Sequence, residues 1–335
     1  MTGRTTRPTL VSLARDLGVS RQTVSNALNS PEVLKPATRE RVLAAIRSSG
    51  YRPSAVGRAL RTSRSMNLGL RLHPAVDGVN GAVMDRFLHN LVVQAQQHGY
   101  RLTLFASDSY DAEADDLIEQ HRAGIIDACI LTDTHVRDTR PDRLARAGLP
   151  LVAFGRPWGR EPATHAWLDI DGAVGCESAV QWLRERGHTR IGFLGWPPGS
   201  GVGDDRRSGW QRGMADLEVT GLAVGSDDGA RQGSEAAGRL LEQGATAIVC
   251  TSDSLALGAL ARLRSEGRGA MPVIGFDDTP VAAAIGLSSI AQPVEEAAEI
   301  LIDMAVAELS GTPAAPRQRL LPARLVVRSP ETFSS

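Results

Sequence analysis

Charge divides this chain into a short basic segment and a long acidic one. Residues 1–65 carry eleven arginines and one lysine against three acidic residues, which gives that segment a net charge of +9. The whole chain has a net charge of −1, so residues 66–335 sum to −10. A basic segment of this size is typical of nucleic-acid binding, and the acidic remainder predicts a separate domain with a different ligand.

Apolar residues in the basic segment recur at helical spacing, which argues against a disordered basic tail. We therefore predict that this segment folds as a small all-α domain. Its core is predicted to contain Leu10, Leu13, Ala14, Leu17, Val19, Val24, Leu28, Val42, Leu43 and Ile46.

Two capping residues predict a helix-turn-helix near the N-terminus. Thr9 can cap a first helix that ends before Gly18, and Ser20 can cap a second helix after a three-residue turn. Arginine suits guanine, and glutamine or asparagine suits adenine, in the major groove of DNA. A plain αα-hairpin with a polar surface is the alternative. The outward-facing side chains of the second helix are predicted to be Arg21, Gln22, Ser25 and Asn26.

Two further helices are predicted in the basic segment. The first runs from Pro36 to Ser49, and Ala44, Ala45 and Ile46 are expected to help close the core. The second is a short basic helix over residues 53–61, which starts at Pro53 and Ser54. Because so short a helix is marginal alone, we expect it to be disordered in the free protein and helical only on specific DNA. A simple interdomain linker is the alternative.

The stretch Thr9–Ser63 resembles the LacI/GalR family of bacterial repressors. The resemblance implies that Arg21 and Gln22 read major-groove bases, and that paired hinge helices enter the minor groove with Leu60 wedging a base step. It also implies that Thr9, Ser20, Thr23, Ser25, Asn29 and Thr38 hold phosphates. Further DNA contacts are expected from Asn26, Lys35, Tyr51, Ser54 and Arg58. The motifs that carry the resemblance are Gly18-Val-Ser20, Thr23-Val-Ser25, Thr38-Arg-Glu-Arg-Val42, Gly50-Tyr-Arg-Pro53 and Val56-Gly-Arg-Ala-Leu60.

The sequence departs from the family pattern at two places. Asn26 stands where many members carry arginine, so the outer bases of the operator are expected to differ. Lys35-Pro36 replaces the usual Ser or Thr cap of the third helix, which weakens that phosphate contact and adds a cation.

From Asn67 onward, short apolar runs alternate with helical patterns, which predicts parallel sheets in an α/β architecture. Eight or more strands in 270 residues indicate two doubly wound lobes, whose ligands bind at the carboxyl ends of the strands. Helices are expected at 84–98, 173–187, 206–218 and 254–267. Strands are expected at Leu68–Leu72, Leu102–Phe105, Ile125–Leu131, Leu149–Phe154, Ile191–Leu194, Ala247–Cys250 and Val273–Phe276.

This second part resembles the periplasmic-binding-protein-like effector domain of the same family. The motifs include Phe154-Gly-Arg-Pro157, Asp205-Arg-Arg-Ser-Gly-Trp210, Thr251-Ser-Asp253 and Gly275-Phe-Asp-Asp278. The predicted domains are a headpiece at 1–52, a hinge helix and linker at 53–65, and an effector-binding and dimerisation domain at 66–335. Lobe 1 is expected at about 66–166 and 292–318, and lobe 2 at about 167–291 and 319–330.

The resemblance implies that Arg206 binds the effector and that Asp253 accepts a bond from a ligand hydroxyl. Each has a structural alternative: Arg206 as a surface cation, and Asp253 as a helix cap. Asp277 fits a cap or a brace between lobes equally well, and Trp158 could stack on a sugar face or simply pack half-buried. The predicted effector site comprises Asp133, Arg156, Trp196, Arg206, Asp253, Phe276 and Asp277.

The sequence contains no recognisable motif for catalysis, cofactor binding or metal binding. Gly199–Gly203 has GxGxG spacing after Pro197-Pro198, which favours a flexible loop at the pocket rim over a dinucleotide loop. Ser252 and Asp253 show no nucleophile elbow, and the three cysteines lack metal-binding spacing. No apolar run approaches the ~18 residues of a membrane helix, and the N-terminus lacks a signal-peptide core. We expect a cytoplasmic protein with no cofactor and no membrane partner.

The sequence predicts a homodimeric, ligand-responsive transcriptional repressor that binds a near-palindromic DNA operator. The Leu131-Thr-Asp-Thr and Phe-Gly-Arg-Pro motifs resemble members that govern carbohydrate uptake, so a small sugar is the expected effector. One alternative is a dinucleotide-dependent oxidoreductase fused to a DNA-binding head, which requires a glycine loop and a ribose-binding acid. The other is a non-regulatory sugar-binding protein, which requires export.

Overall fold

The computed structural model describes residues 8–51, 64–72, 79, 81–159, 163–215, 217, 222–312 and 315–328. The chain forms two compact units, Met1–Ser65 and Met66–Ser335. The boundary between them coincides with the predicted start of the effector domain. The predicted hinge helix, with Ser54, Arg58 and Leu60, lies outside the described residues.

Among the described residues of the first unit, three α-helices form a bundle. The first and third have the predicted bounds, and the second starts at the predicted residue. They are α1 (Leu10–Leu17), α2 (Arg21–Asn29) and α3 (Pro36–Ser49), with a 3₁₀ turn at Pro31–Val33 between the last two. Local caps fix these ends: the Thr9 hydroxyl accepts a hydrogen bond from the Ser12 N–H, and Gly18 ends α1 at φ +64°.

The core of the bundle consists mainly of the predicted apolar residues. Leu13, Ala14, Val24, Ala27, Val42 and Ile46 are buried. Ala44 differs from prediction: it is exposed on the outer side of α3, while Val42 and Ile46 fill the core.

The second unit contains two lobes, each built on a six-stranded sheet. The first sheet has the order β11-β5-β4-β3-β1-β2 and is parallel throughout. The second has the order β12-β10-β9-β8-β6-β7, and only β12 runs antiparallel to its neighbour. The strands are β1 (Asn67–Arg71), β2 (Arg101–Phe105), β3 (Ala128–Leu131), β4 (Leu151–Phe154), β5 (Ala166–Asp171), β6 (Ile191–Gly195), β7 (Ala223–Gly225), β8 (Ala247–Cys250), β9 (Val273–Asp277), β10 (Ser288–Ala291), β11 (Gln318–Pro322) and β12 (Arg324–Val326).

Helices cover these sheets as the alternating pattern predicts. The helices of the second unit are α4 (Gly81–Gln97), α5 (Tyr110–Arg122), α6 (Arg140–Arg146), α7 (Gly172–Arg184), α8 (Gly201–Gly213), α9 (Ala230–Glu242), α10 (Asp253–Ser265), α11 (Pro280–Ala284) and α12 (Val294–Ser310). No helix among the described residues is long and apolar enough to span a membrane.

Strand pairing moves two of the predicted lobe boundaries. Residues 166–171 form β5 beside β4, and 318–322 form β11 beside β5, so both belong to the first lobe. The chain therefore crosses between lobes after Asp171, near Gln292 and again near Ala323. The sequence hides β5 because its acidic residues interrupt the apolar run.

The glycine-rich stretch before Arg206 also differs from prediction. Helix α8 begins at Gly201 rather than at 206, and the Ser200 hydroxyl caps it by accepting a hydrogen bond of 3.2 Å from the Gly203 N–H. Gly201–Gly203 is thus the first turn of a helix and not a flexible loop. Apolar periodicity does not reveal this turn, because its residues are mostly glycine and aspartate.

Candidate functional site

The reading face of the headpiece lies at the start of α2. Arg21 and Gln22 are exposed there, and Ser25 and Asn26 are half-buried on the same helix. The Gln22 side-chain amide donates a 2.8 Å hydrogen bond to the Asn26 amide oxygen one turn later. The structure therefore presents an exposed guanidinium beside two amides that orient each other.

Polar side chains also cluster at the helix N-termini, which favour anions. The Ser20 hydroxyl accepts a 3.0 Å hydrogen bond from the Thr23 N–H and lies 2.9 Å from the Thr23 hydroxyl. Lys35 stands at the cap position of α3 with no capping bond from its side chain, and Thr38 lies in the first turn.

Two other predicted DNA contacts have less distinctive surroundings. Asn29 is the last residue of α2. Tyr51 packs half-buried against the headpiece core, where burial raises the pKa of its phenol. A packing role for Tyr51 is therefore evident, whereas its DNA contact stays a prediction.

The second unit holds a cavity of about 660 Å³ between its two lobes, at the carboxyl ends of the strands. Five of the seven predicted effector residues line this cleft. Arg156 does not line the cleft but forms hydrogen bonds to two residues that do, Asp169 and Asp205. Asp253 does not reach the surface of the cleft. The five lining residues are Asp133, Trp196, Arg206, Phe276 and Asp277.

Arg206 is the central cation of the cleft. Its guanidinium is buried, lies 3.6 Å from the centroid of the Phe276 ring and 5.2 Å from that of Trp196, and donates a 2.5 Å hydrogen bond to the Thr251 carbonyl. The nearest carboxylate oxygen, on Asp277, lies 4.0 Å from Nη2. Within the described residues Nε has no acceptor. The guanidinium thus retains donor capacity at the cleft.

Asp277 faces Arg206 from the end of β9. It is buried with a positive φ of +108°, a conformation that side-chain-bearing residues rarely adopt. Its carboxylate accepts a 2.6 Å hydrogen bond from Gln292, which lies where the chain crosses between lobes. Burial raises the pKa of Asp277 to about 7 against the opposing effect of Arg206.

Arg156 forms an ion-pair bridge between the lobes. Its Nε donates a 2.6 Å hydrogen bond to Asp169 of the first lobe, and its Nη1 lies 3.3 Å from Asp205 in α8 of the second. Burial raises the pKa of the Asp205 carboxyl, whereas Arg156 lowers it. Because its donors are engaged by the protein, Arg156 orients acids around the cleft and does not itself line it.

Asp133 reaches the cleft from a loop held by a buried ionic network. Its carboxylate accepts a 2.6 Å hydrogen bond from the Tyr110 hydroxyl, and its backbone carbonyl accepts one of 2.9 Å from Arg140. Arg140, which is 1% exposed, also pairs with Glu113 and Asp138 at 2.6 Å each. These bonds hold the loop in its conformation, including the positive φ of Asp133.

Asp253 departs from the predicted role of ligand acceptor. It is fully buried, and its carboxylate accepts 2.8 Å hydrogen bonds from the Thr279 N–H and hydroxyl and one of 2.6 Å from the Ser289 hydroxyl. The alternative of a helix cap also fails, because Ser252 caps α10. Asp253 instead braces the segment that carries Asp277.

Sequence reasoning missed several residues of the cleft. Asp228 lines it and accepts a 2.5 Å hydrogen bond from the Ser252 hydroxyl, although its flanking sequence gives no signal. Asp205 lies inside a motif that the family resemblance had already marked, and Asp169 lies in β5. Phe87 and Phe154 stack at 4.4 Å on the side of the first lobe. Apolar residues at helical or strand spacing are usually assigned to the core, which hid these two.

The comparisons with known proteins agree with this architecture. Residues 9–54 match the family described as bacterial regulatory proteins, lacI family, and residues 180–329 match a periplasmic binding protein-like domain. The chain is 31% identical to the HTH-type transcriptional regulator CelR of Thermobifida fusca, over 97% of this chain and 98% of that protein. The chain belongs to the LacI family of bacterial transcriptional regulators. The predicted family is therefore confirmed.

Other relatives extend the match. The HTH-type transcriptional regulator GalS of Salmonella typhimurium is 32% identical over 91% of both chains. A solved CelR–cellobiose complex superimposes with a TM-score of 0.70 at 29% identity, covering 96% of this chain and 99% of that one. The lac repressor dimer bound to operator and the anti-inducer ONPF superimposes with a TM-score of 0.82 at 23% identity, covering 98% of this chain and all of the other. The predicted fold class is confirmed.

Proposed function

We propose that this LacI-family regulator is a homodimeric repressor of carbohydrate uptake or catabolism genes, controlled by a small sugar. The cleft between its lobes is the effector site of the proposal, and the exposed face of α2 reads the operator. A structural neighbour that shares nearly its whole length is a CelR–cellobiose complex.

The lining of the cleft suits a hydroxyl-rich ligand. Phe154, Trp158 and Trp196 line the cleft and are half-buried, so each can offer a ring surface on which the C–H face of a pyranose can pack. Asp133, Asp169 and Asp277 can accept bonds from hydroxyls. A cavity of about 660 Å³ lies within the usual range for small-molecule sites, about 300–1,000 Å³.

Arg206 carries the proposal. A buried guanidinium with no acceptor for Nε is costly unless a ligand supplies one, because buried donors are nearly always paired. The Phe276 ring centroid lies 3.6 Å from the guanidinium carbon and that of Trp196 5.2 Å away, so these rings restrict the directions from which a ligand oxygen can approach. A ring oxygen or hydroxyl of a sugar fits that geometry.

The headpiece part of the proposal assigns Arg21 and Gln22 to base edges, with Asn26 beside Gln22. A near-palindromic operator presents two half-sites, so two headpieces must be joined through the effector domains. The proposed phosphate contacts are Thr9, Ser20, Thr23, Ser25, Asn29, Lys35, Thr38 and Tyr51, with Ser54, Arg58 and Leu60 of the hinge completing the surface.

We also infer that the protein catalyses no reaction. The described lining of the cleft contains no Ser, Cys, His or Lys, and Asp133, Asp169 and Asp277 are paired with neighbouring side chains. Regulation of transcription requires only that ligand binding change operator affinity. Because the protein of this proposal acts on bacterial DNA, we also propose that it is cytoplasmic.

The test joins DNA binding to sugar binding in one titration. A DNA duplex is first selected from a random pool by the purified protein, and cellobiose and other disaccharides are then titrated into the complex while fluorescence anisotropy is followed. Arg206→Met should raise the Kd for the active sugar at least tenfold. Arg212→Met, on the same helix but paired with Glu177 at the surface, should leave it unchanged.

Two results would contradict the proposal in different ways. Normal sugar affinity in Arg206→Met would remove Arg206 from the site. A wild-type complex that no sugar releases or tightens would rule out a sugar effector while leaving DNA recognition intact.

A further inference from the structure

The glycines at the start of α8 each face a tryptophan. A Cβ atom added to Gly201 would lie 2.6 Å from Cδ1 of Trp158 and closer still to Cγ and Cδ2. One added to Gly203 would lie 3.2 Å from Cε3 of Trp196. Gly201 has no positive φ, so backbone conformation does not require glycine there. Glycine is required there because the Trp158 indole approaches too closely to leave room for a Cβ atom.

The contact of Trp158 with Gly201 joins the two lobes. Trp158 follows β4 of the first lobe, and Gly201 starts α8 of the second. Arg156, from the same loop as Trp158, pairs across the same gap with Asp205, and its guanidinium lies 4.7 Å from the centroid of the Trp158 ring. We call this set of four residues, Arg156, Trp158, Gly201 and Asp205, the clasp.

Trp158 has space on both sides. It lines the ligand cleft and also a second cavity of about 100 Å³, whose other walls include Thr134, His135 and Asp138. Its indole Nε1 is buried and has no acceptor within the described residues. Only packing and the Arg156 guanidinium hold the ring, so it can leave Gly201 without breaking a hydrogen bond.

We propose that Trp158, seated on Gly201, sets the separation of the two lobes and is a residue through which a bound ligand alters that separation. A ligand in the cleft meets the same indole that forms the clasp. Filling the cleft therefore either presses the ring onto Gly201 or displaces it toward the smaller cavity. The effector step rests on the proposed function, whereas the clasp itself can be tested without ligand.

The ligand-free test measures the distance between the lobes in the full chain. Spin labels are attached at Glu119→Cys in α5 and Glu235→Cys in α9, both exposed, while the three native cysteines are buried. Labelled chains are mixed with excess unlabelled protein so that pulsed dipolar spectroscopy reports pairs within one chain. Gly201→Ala, which wedges the indole away, should lengthen or broaden the distance distribution.

Two variants make this measurement decisive. Gly81→Ala is the matched control, because Gly81 also begins a helix at the cleft and a Cβ there meets nothing within 4 Å. Its distance distribution should equal that of the parent. Trp158→Ala removes the indole with no steric clash and should alter the distribution as Gly201→Ala does, and the double variant should add nothing further. Unchanged distributions in both single variants would overturn the clasp.

The effector step is tested with cellobiose on the selected DNA duplex. Clasp variants should shift the half-maximal cellobiose concentration severalfold relative to the wild type. An altered lobe separation with an unchanged cellobiose response would overturn the coupling step alone. If the wild type ignores cellobiose and related disaccharides, the sugar proposal fails, and the distance measurements still decide the clasp.

Discussion

The headpiece and the effector domain use polar side chains in opposite ways. In the headpiece, hydrogen bonds between side chains or from side chain to backbone close within three or four residues, as in Ser20 with Thr23 and Gln22 with Asn26. Around the cleft they join distant parts of the chain, and Asp253 and Ser289 are 36 residues apart. The headpiece can therefore exchange its base-reading side chains, Arg21 and Gln22, without disturbing its fold. In the cleft, a change in a functional residue also acts on stability.

The largest effect expected from this difference is at Asp253. Asp253→Ala removes one carboxylate that accepts three hydrogen bonds, leaving the Thr279 N–H, the Thr279 hydroxyl and the Ser289 hydroxyl unpaired in a buried site. The effector domain should lose on the order of 3 kcal/mol of stability, since each unsatisfied buried group costs about 1–3 kcal/mol. Urea unfolding followed by tryptophan fluorescence measures the loss.

Asp227→Ala is the control for Asp253→Ala, because Asp227 is exposed in the same lobe. Its unfolding midpoint should stay close to that of the wild type. If Asp253→Ala unfolds like this control yet loses ligand affinity, Asp253 is a ligand residue after all and the contrast between the two units weakens.

The next effect concerns pH and Asp277. Its folded-state pKa of about 7 lies above the value of about 3.9 for an unfolded chain, so the folded state binds more protons between those values. Asp277 therefore contributes stability that is complete below pH 4 and is lost as pH rises through 7. The slope approaches about 1.4 kcal/mol per pH unit at most.

Asp277→Asn should remove that slope. Urea unfolding of the wild type and the variant between pH 5 and 8.5 should give curves that diverge with rising pH, the variant being the more stable at pH 8. Parallel curves would show that Asp277 is already ionised at pH 5 and paired effectively with Arg206.

The same contrast explains how much of the molecule could be predicted. Both ends of α1 and the start of α2 are as predicted because Thr9, Gly18 and Ser20 decide them within one turn. The strands with long apolar runs were predicted as well. β5 was not, because Asp169 and Asp171 interrupt its apolar pattern, and Arg156, the partner of Asp169, lies 13 residues earlier in the chain.

The residues that form the site were predicted better than the role of each residue. Arg206 and Asp277 line the cleft and both were among the predicted effector residues. No local sequence pattern shows that Arg156 pairs with two acids, or that Asp253 accepts hydrogen bonds from Thr279 and Ser289. Gly201 illustrates the limit of local reasoning. Glycine is required there because the indole of Trp158, more than 40 positions earlier and in the other lobe, leaves no room for a Cβ atom.

A moderate effect is expected at the reading face, where substitutions should weaken DNA binding without changing the stability of the headpiece. Arg21→Ala and Gln22→Ala should each weaken binding to the selected duplex by about 1–3 kcal/mol and relax base preference locally. Unfolding should be unaffected, because both residues are exposed. Anisotropy titrations on duplexes substituted at single positions give the test. Equal weakening on every sequence would assign these residues to phosphates.

The smallest effect is expected at Ser20, a headpiece residue with both a local structural role and a proposed DNA contact. Ser20→Ala leaves the Thr23 N–H without its acceptor and should destabilise α2 by about 1 kcal/mol, seen as faster amide hydrogen exchange in residues 21–29 of the full chain. Ser20→Asp keeps an acceptor and should restore the exchange rates, but its negative charge should weaken DNA binding through repulsion of the backbone phosphates. Ser48→Ala, an exposed serine within α3, controls for loss of a hydroxyl. If Ser20→Asp bound DNA as well as wild type, Ser20 would be a cap alone, and even this residue would obey the headpiece rule that local structure and recognition are separable.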